Sequence, residues 1–157
     1  MEGLSLFNAL QFYLIDFLRY FRIIVVKGDD FRLSKQNISI TVSGYIIVTH
    51  LIGKIKTDDV YEWFNGFERV CQQFISEERK YKLLVDRKGY TPDHFSVQKL
   101  WKDKFFNETI LNHSKAIAFL LEEGEILNYL QQSNIKESVK FFDNYEQSFL
   151  WLNAYPI

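Results

Sequence analysis

The stretch Tyr81-Lys82-Leu83-Leu84-Val85-Asp86-Arg87-Lys88-Gly89-Tyr90-Thr91-Pro92 constrains the fold of this chain more than any other. A continuous apolar run, Leu83 to Val85, leaves a charged helix end and enters a polar loop opened by Asp86 and closed by Gly89 and Pro92. Such a run, with no polar alternation, is the pattern of a central strand covered on at least one face. Ligands of open α/β sheets sit beyond the carboxyl ends of such strands, so the loop from Asp86 is the first place to look for a site.

The flanking sequence supplies neighbours for that strand. Ile38, Ile40 and Val42 alternate with Ser39, Thr41 and Ser43, which predicts a half-exposed strand. Ser43-Gly44 turns the chain, and Tyr45 to Ile52 is a second, β-branched strand ending at Gly53, so the two form a hairpin. Thr57, Asp58 and Asp59 read as a helix start, the hydroxyl as cap and the carboxylates at the positive end of the dipole. Val60, Phe64, Phe67, Val70, Cys71 and Phe74 then recur at helical spacing up to Glu77–Lys80. A helix joining two strands of one sheet implies that they lie parallel, with a right-handed crossover.

Beyond the loop, Ser96 is expected to cap a helix carrying Val97, Leu100, Trp101, Phe105, Phe106 and Ile110. Ala116–Leu121 is a short buried strand, Gly124–Gln132 a short helix and Val139–Phe142 the last strand. Asp143-Asn144 opens a final helix, Gln147 completing a capping-box spacing and Phe149, Leu150 and Leu152 giving its apolar face. The expected fold is α/β, ββαβαβαβα, a mixed sheet with parallel core strands and helices packed over it.

Upstream, Leu6, Leu10, Tyr13, Leu14, Phe17, Leu18 and Phe21 share one face of a helical wheel, opposite Asn8, Gln11, Arg19 and Arg22. A membrane span would bury Asp16 and two arginines at about 2.5–3.5 kcal/mol each near its centre, and the start Met1-Glu2 lacks the basic region of a secretory signal. The reading is an N-terminal amphipathic helix that packs on its own domain or on a second copy, giving a homodimer; peripheral contact with a membrane surface is the other use of such a face. Ile23–Val26, four β-branched residues, extends that helix or starts a strand, the strand being favoured. Gly28-Asp29-Asp30 and the polar Ser34–Asn37 mark a linker, dividing the chain into an extension, residues 1–30, and a main domain, residues 31–157.

Composition narrows the partners. With 157 residues, 47% hydrophobic and 15 of them Phe, the chain can build one core of bulky rings. Scattered basic residues, 19 against 20 acidic, argue against a nucleic-acid footprint. The single cysteine, Cys71, permits no disulfide framework and fits a reducing, cytoplasmic compartment.

Leu51-Ile52-Gly53-Lys54-Ile55 with Asp58-Asp59, the strand Leu83–Asp86, the strand Lys115–Phe119, and Val139–Asp143 with Leu150-Trp151-Leu152 together resemble the SpoIIAA-like group of STAS-related domains, over about Ile38 to Leu152. The resemblance implies a mixed sheet covered by helices, in a group mostly lacking known activity. Relatives in the wider STAS class are phosphorylation-regulated partners in bacterial sigma-factor control or regulatory domains of anion transporters. Those regulators carry an Asp-Ser pair after the central strand, whereas this loop reads Asp86-Arg87-Lys88-Gly89, so the phospho-switch does not carry over. Ser96, at a helix start, is the remaining phosphoacceptor candidate, and capping accounts for it. The distantly comparable CRAL-TRIO lipid carriers imply a pocket-binding role by fold analogy.

Candidate chemistry gathers in the same loop. Asp86, Arg87, Asp93 and His94 could do acid–base work; the simpler account has Asp86 accepting loop amides and pairing with Arg87. Tyr90 and Phe95 could line a pocket beside them or pin the loop to the core. The binding set is therefore Asp86, Arg87, Tyr90, Thr91, His94 and Phe95, with no catalytic motif, no cofactor motif, and no ligand spacing for a metal around His50, His94 and His113. The expectation is a non-catalytic intracellular binding or regulatory module acting through this loop on a protein partner. The alternative is a carrier of a small apolar molecule or lipid, and the third reading is a hydrolase-type enzyme using Asp86 and His94.

Overall fold

A computed structural model of the chain describes residues 22–23 and 32–157. The expected N-terminal helix, with its face from Leu6 to Phe21, lies outside the described residues, as do Ile24 to Val26. The central strand is β6, Tyr81–Asp86, buried at every position. It stands between β4, Ile46–Leu51, and β8, Ser114–Leu120, parallel to both. The hairpin partner of β4 is β3, Ile38–Ser43, and β9, Val139–Phe142, closes the other side parallel to β8.

Two further strands extend the antiparallel half. Arg32–Lys35, β2, pairs with β3, and the two-residue β1, Arg22–Ile23, pairs with β2. Polar Ser34–Asn37 read as linker because a ladder is made by backbone groups, which composition does not report. The seven-stranded order is β1-β2-β3-β4-β6-β8-β9. A separate two-stranded sheet joins β5, Gly53–Ile55, to β7, Tyr90–Pro92, in parallel, so the expected polar loop carries a strand.

Side-chain alternation gives the sheet two unlike faces. On β8, Ala116 and Ala118 point to one side, Ile117 and Phe119 to the other. The first side packs on α5, Tyr145–Ala154, where small alanines let the helix approach, with Ile46, Val48, Leu84 and Leu152 buried there. The second side carries the larger core under α1, Thr57–Ser76, α2, Phe95–Phe105, and α3, Glu108–His113. A stack of rings fills it: Trp63 on Phe67 at 5.2 Å, Phe67 on Phe105 at 6.0 Å and Phe105 on Trp101 at 5.1 Å.

Local chemistry explains the helix limits. Lys56, not Thr57, is the α1 cap residue, and its N–H donates to Asp59 Oδ2 at 2.9 Å, so a carboxylate does the work expected of the hydroxyl. At the far end Arg79 N–H donates to Phe74 O and Glu78 N–H to Ile75 O, the Schellman pattern, with Glu78 at φ 56 in the left-handed region. The helix expected from Ser96 to Ile110 is two, because Asn107 Oδ1 accepts from Thr109 N–H at 2.9 Å and opens α3 anew. That turn seats Ile110 in the core, its carbonyl accepting from Tyr81 Oη at 2.6 Å. A fourth helix, α4, Glu125–Ser133, connects β8 to β9. Asn144 caps α5 through Gln147 N–H as its spacing implied, but Leu150 is exposed and Leu152 alone of that expected face is fully buried. Among the described residues no helix is long and apolar enough to cross a membrane.

Candidate functional site

At the end of β6 consecutive side chains go to opposite faces, and this separates Asp86 from Arg87. Asp86 turns to the α5 side. Its Oδ1 accepts from Lys88 N–H at 2.9 Å, closing an Asx-type turn, and its Oδ2 stands 2.8 Å from His50 Nδ1, at ion-pair distance though without hydrogen-bond alignment. The expected Asp86–Arg87 pair is therefore corrected: the imidazole facing this carboxylate is His50, brought there by the register His50↔Asp86 between β4 and β6.

Arg87 turns to the helical side. Its guanidinium carbon lies 3.8 Å from the Tyr90 ring centre and 4.0 Å from that of Trp101, and one Nη donates to Gln98 Oε1 at 2.6 Å. Ring faces attract a cation but do not neutralise it. Burial pulls the Arg87 pKa down from the ordinary arginine value, and it still carries its proton. Among the described residues its Nε, Trp101 Nε1 and Tyr90 Oη are buried without a well-aligned hydrogen-bond partner; burial also pushes the Tyr90 phenol up, the charge and hydrogen bonding of the Arg87 guanidinium opposing.

The loop between is held by backbone bonds. Gly89, at φ +74, makes the left-handed turn that returns the chain to β7, and its carbonyl accepts from Gly53 N–H at 2.8 Å. Asp93 N–H donates to Ile55 O, and the Asp93 carboxylate pairs with Lys54 at 2.7 Å, which holds it below the ordinary carboxylate value. His94 is exposed and is itself the α2 cap, its Nδ1 accepting from Ser96 N–H, so the expected capping role of Ser96 passes to His94. Asp86 and His94 are thus each engaged elsewhere, Asp86 at His50 and His94 at Ser96. Thr91 and Ser96 are exposed, and Phe95 is 76% exposed and does not line the cleft over β8 and β9. Of the expected set, Arg87 and Tyr90 come together.

They come together at the end of a cleft that the residue patterns did not announce. It encloses about 540 Å³ over β8 and β9, with Trp101 and Lys102 of α2, Phe106 just after it and Leu111 of α3 on one side and Leu130 of α4 on the other. Ile117, Phe119, Val139 and Phe141 make the floor, the two phenyl rings stacked at 5.3 Å. Arg87 and Leu121 mark its end at the carboxyl ends of the strands, Ser114 and Lys115 the opposite end. Volume and apolar lining with few polar groups match small-molecule sites. Among the described residues its lining holds no carboxylate, imidazole or thiol. Among the described residues no group of three or more His, Cys, Asp or Glu is placed to hold a metal ion. The sequence signal that bears on the cleft is the short α4, nine residues between β8 and β9 against the twenty of α1.

No family model matches the sequence, and no curated protein matches it. Comparison with solved structures finds the crystal structure of an uncharacterised protein of the DUF3478 family with a SpoIIAA-like fold, from Shewanella loihica PV-4, at a TM-score of 0.50 and 16% identity, covering 73% of this chain and 91% of that one. The fold is SpoIIAA-like. Within a SpoIIAA-like sheet the cleft lies over the last two parallel strands, and the loop after the central strand supplies its arginine.

Proposed function

We propose that this protein is a non-catalytic intracellular binding module whose ligand is a small apolar molecule held in the cleft between α2–α3 and α4. The observation that carries the reading is the cleft itself: about 540 Å³ over an aromatic floor, with no acid–base or nucleophilic pair among the described residues of its lining. The loop after the central strand keeps its part, since Arg87 and Tyr90 build the cleft's end. Regulation would follow from ligand occupancy rather than from an Asp-Ser phospho-switch.

Native mass spectrometry of the full-length chain, purified gently from its own cells, tests this. The expected spectrum shows one small adduct per subunit that leaves on denaturation and is recovered by solvent extraction. Empty subunits and a clean extract would count against the reading. The same spectrum counts subunits, and so tests self-association through the segment Leu6–Phe21, which is proposed from its sequence alone.

A second reading, a protein partner docked on the outer side of the loop, is favoured by the exposure of Phe95 beside Thr91, His94 and Ser96. Loss of a captured partner on Phe95→Asp, with the small adduct retained, would move the function to that surface.

A further inference from the structure

We infer that the cleft takes an amphipathic anion, its carboxylate-type head seated against Arg87 and its apolar chain or ring lying along Phe119, Phe141 and Val139. This rests on the cleft being the ligand site and adds the chemical class of the ligand.

The sign of the lining is the first argument. Among the described residues Arg87, Lys102, Lys115 and Lys136 border the cleft and no Asp or Glu does, although the chain as a whole holds 19 basic and 20 acidic residues. A cationic rim over an apolar floor complements a molecule with the opposite head and a like body.

Arg87 supplies the second argument. Lys54–Asp93, Arg79–Glu77 and Lys99–Asp103 are ion pairs among the described residues, His50 stands at ion-pair distance from Asp86, and the cleft's cations belong to none of these contacts. The acid next to it in sequence, Asp86, is held on the other face of the sheet by His50 and Lys88 N–H. Among the described residues, what surrounds the guanidinium carries no negative charge: two ring faces, the Tyr90 hydroxyl and the Gln98 amide. Arg87 is half-buried, a partly desolvated charge is stabilised by a counter-charge, and a carboxylate satisfies the planar fork of an arginine in two parallel bonds. Lys102 follows Gln98 by four residues on the same helix face, adding a second cation beside that end. Lys115 and Lys136 are exposed, whereas Arg87 is fixed between rings, so the head belongs at Arg87. From there the floor runs along β8 from Leu121 back to Lys115, roughly 20 Å at the ~3.3 Å rise of a parallel strand, room for an extended tail.

Calorimetric titration of the full-length protein with octanoate and with 1-octanol separates head from body. The expected result is octanoate binding at least tenfold tighter than 1-octanol, loss of most of that preference in Arg87→Met with 1-octanol affinity unchanged, and loss of both ligands in Val139→Trp, which fills the cleft. Equal affinities in the wild type, or an undiminished preference in Arg87→Met, would overturn the anion assignment while leaving the cleft as an apolar site. Binding of neither ligand would overturn the cleft reading with it. Inorganic phosphate binding as tightly as octanoate would overturn the amphipathic class in favour of a bare anion site. Circular dichroism checks that Arg87→Met is folded; if it is not, Lys102→Gln, on an exposed turn, must cut the preference at least threefold, and an unchanged preference there overturns the assignment.

Discussion

Arg87 and Asp86 show how much one step along a strand decides. Adjacent and oppositely charged, they invite pairing, yet the pleat sends them to different cores, where Asp86 meets His50 and Arg87 meets Tyr90 and Trp101. Cys71 is a second residue whose chemistry is set by surroundings. Buried against α1's own core side, its thiol is pushed from 9.0 to about 12. The folded protein should therefore resist a disulfide-exchange reagent at pH 8 and react fully in denaturant, as absorbance at the released thiolate reads directly. The pH sign follows: a thiol whose pKa is raised by folding stabilises the fold fully below 9.0, and that contribution is lost as pH rises from 9.0 toward 12. Glu78 stands at φ 56, a conformation that costs a residue with a Cβ roughly 1–2 kcal/mol and costs glycine little. Glu78→Gly should raise stability by about 1 kcal/mol in urea titration, the Schellman bonds of the α1 end being kept.

At the scale of elements, the region between β6 and β8 is where local signals and tertiary demands part. One amphipathic pattern runs from Val97 to Ile110, but Asn107 restarts the helix so that Ile110 can reach Tyr81. Asn107→Ala removes the acceptor for Thr109 N–H and should cost about 1 kcal/mol, read as a lowered denaturation midpoint at constant slope. The β5–β7 pair was written only as punctuation, Gly53 and Gly89, because three-residue strands are too short to show a period. That pair nonetheless fixes the loop, and through it the position of Tyr90 beneath the Arg87 guanidinium.

The whole molecule is a sheet with unequal covers. Three helical segments, α1 to α3, build the aromatic core on one face, and α5 packs on Ile46, Val48, Leu84, Ala116 and Ala118 on the other. Leu152 is fully buried there, and Lys82, itself buried, donates its ammonium to the Leu152 carbonyl at 2.6 Å, a cation at a helix carboxyl end. Leu152→Ala should cost about 2–5 kcal/mol in chemical denaturation, the range for a leucine whose site cannot collapse, and should loosen α5 before the larger core. The cleft belongs to this scale too. Among the described residues it exists because α2–α3 and α4 stand apart over the β8–β9 floor.

The order of core strands and helices was legible from Ile38 onward because burial writes period 2 or period 3.6 into the residues that face a core: the alternation of β3, the unbroken run of β6 and the ring spacing of α1 are local consequences of which side chains must leave water. Arg87 and Tyr90 were also legible as loop residues at the end of a central strand. Their partners were not. His50, Gln98 and Trp101 come from three other elements, joined to the loop only by the register of β4 on β6 and by the packing of α2 on the sheet. The polar strand β2 was hidden for the same reason, its pairing being made by backbone groups common to every residue. Sequence determined which faces are apolar; tertiary structure alone decided where the cleft lies and which charge stands at its end, since both depend on distances between residues far apart in the chain.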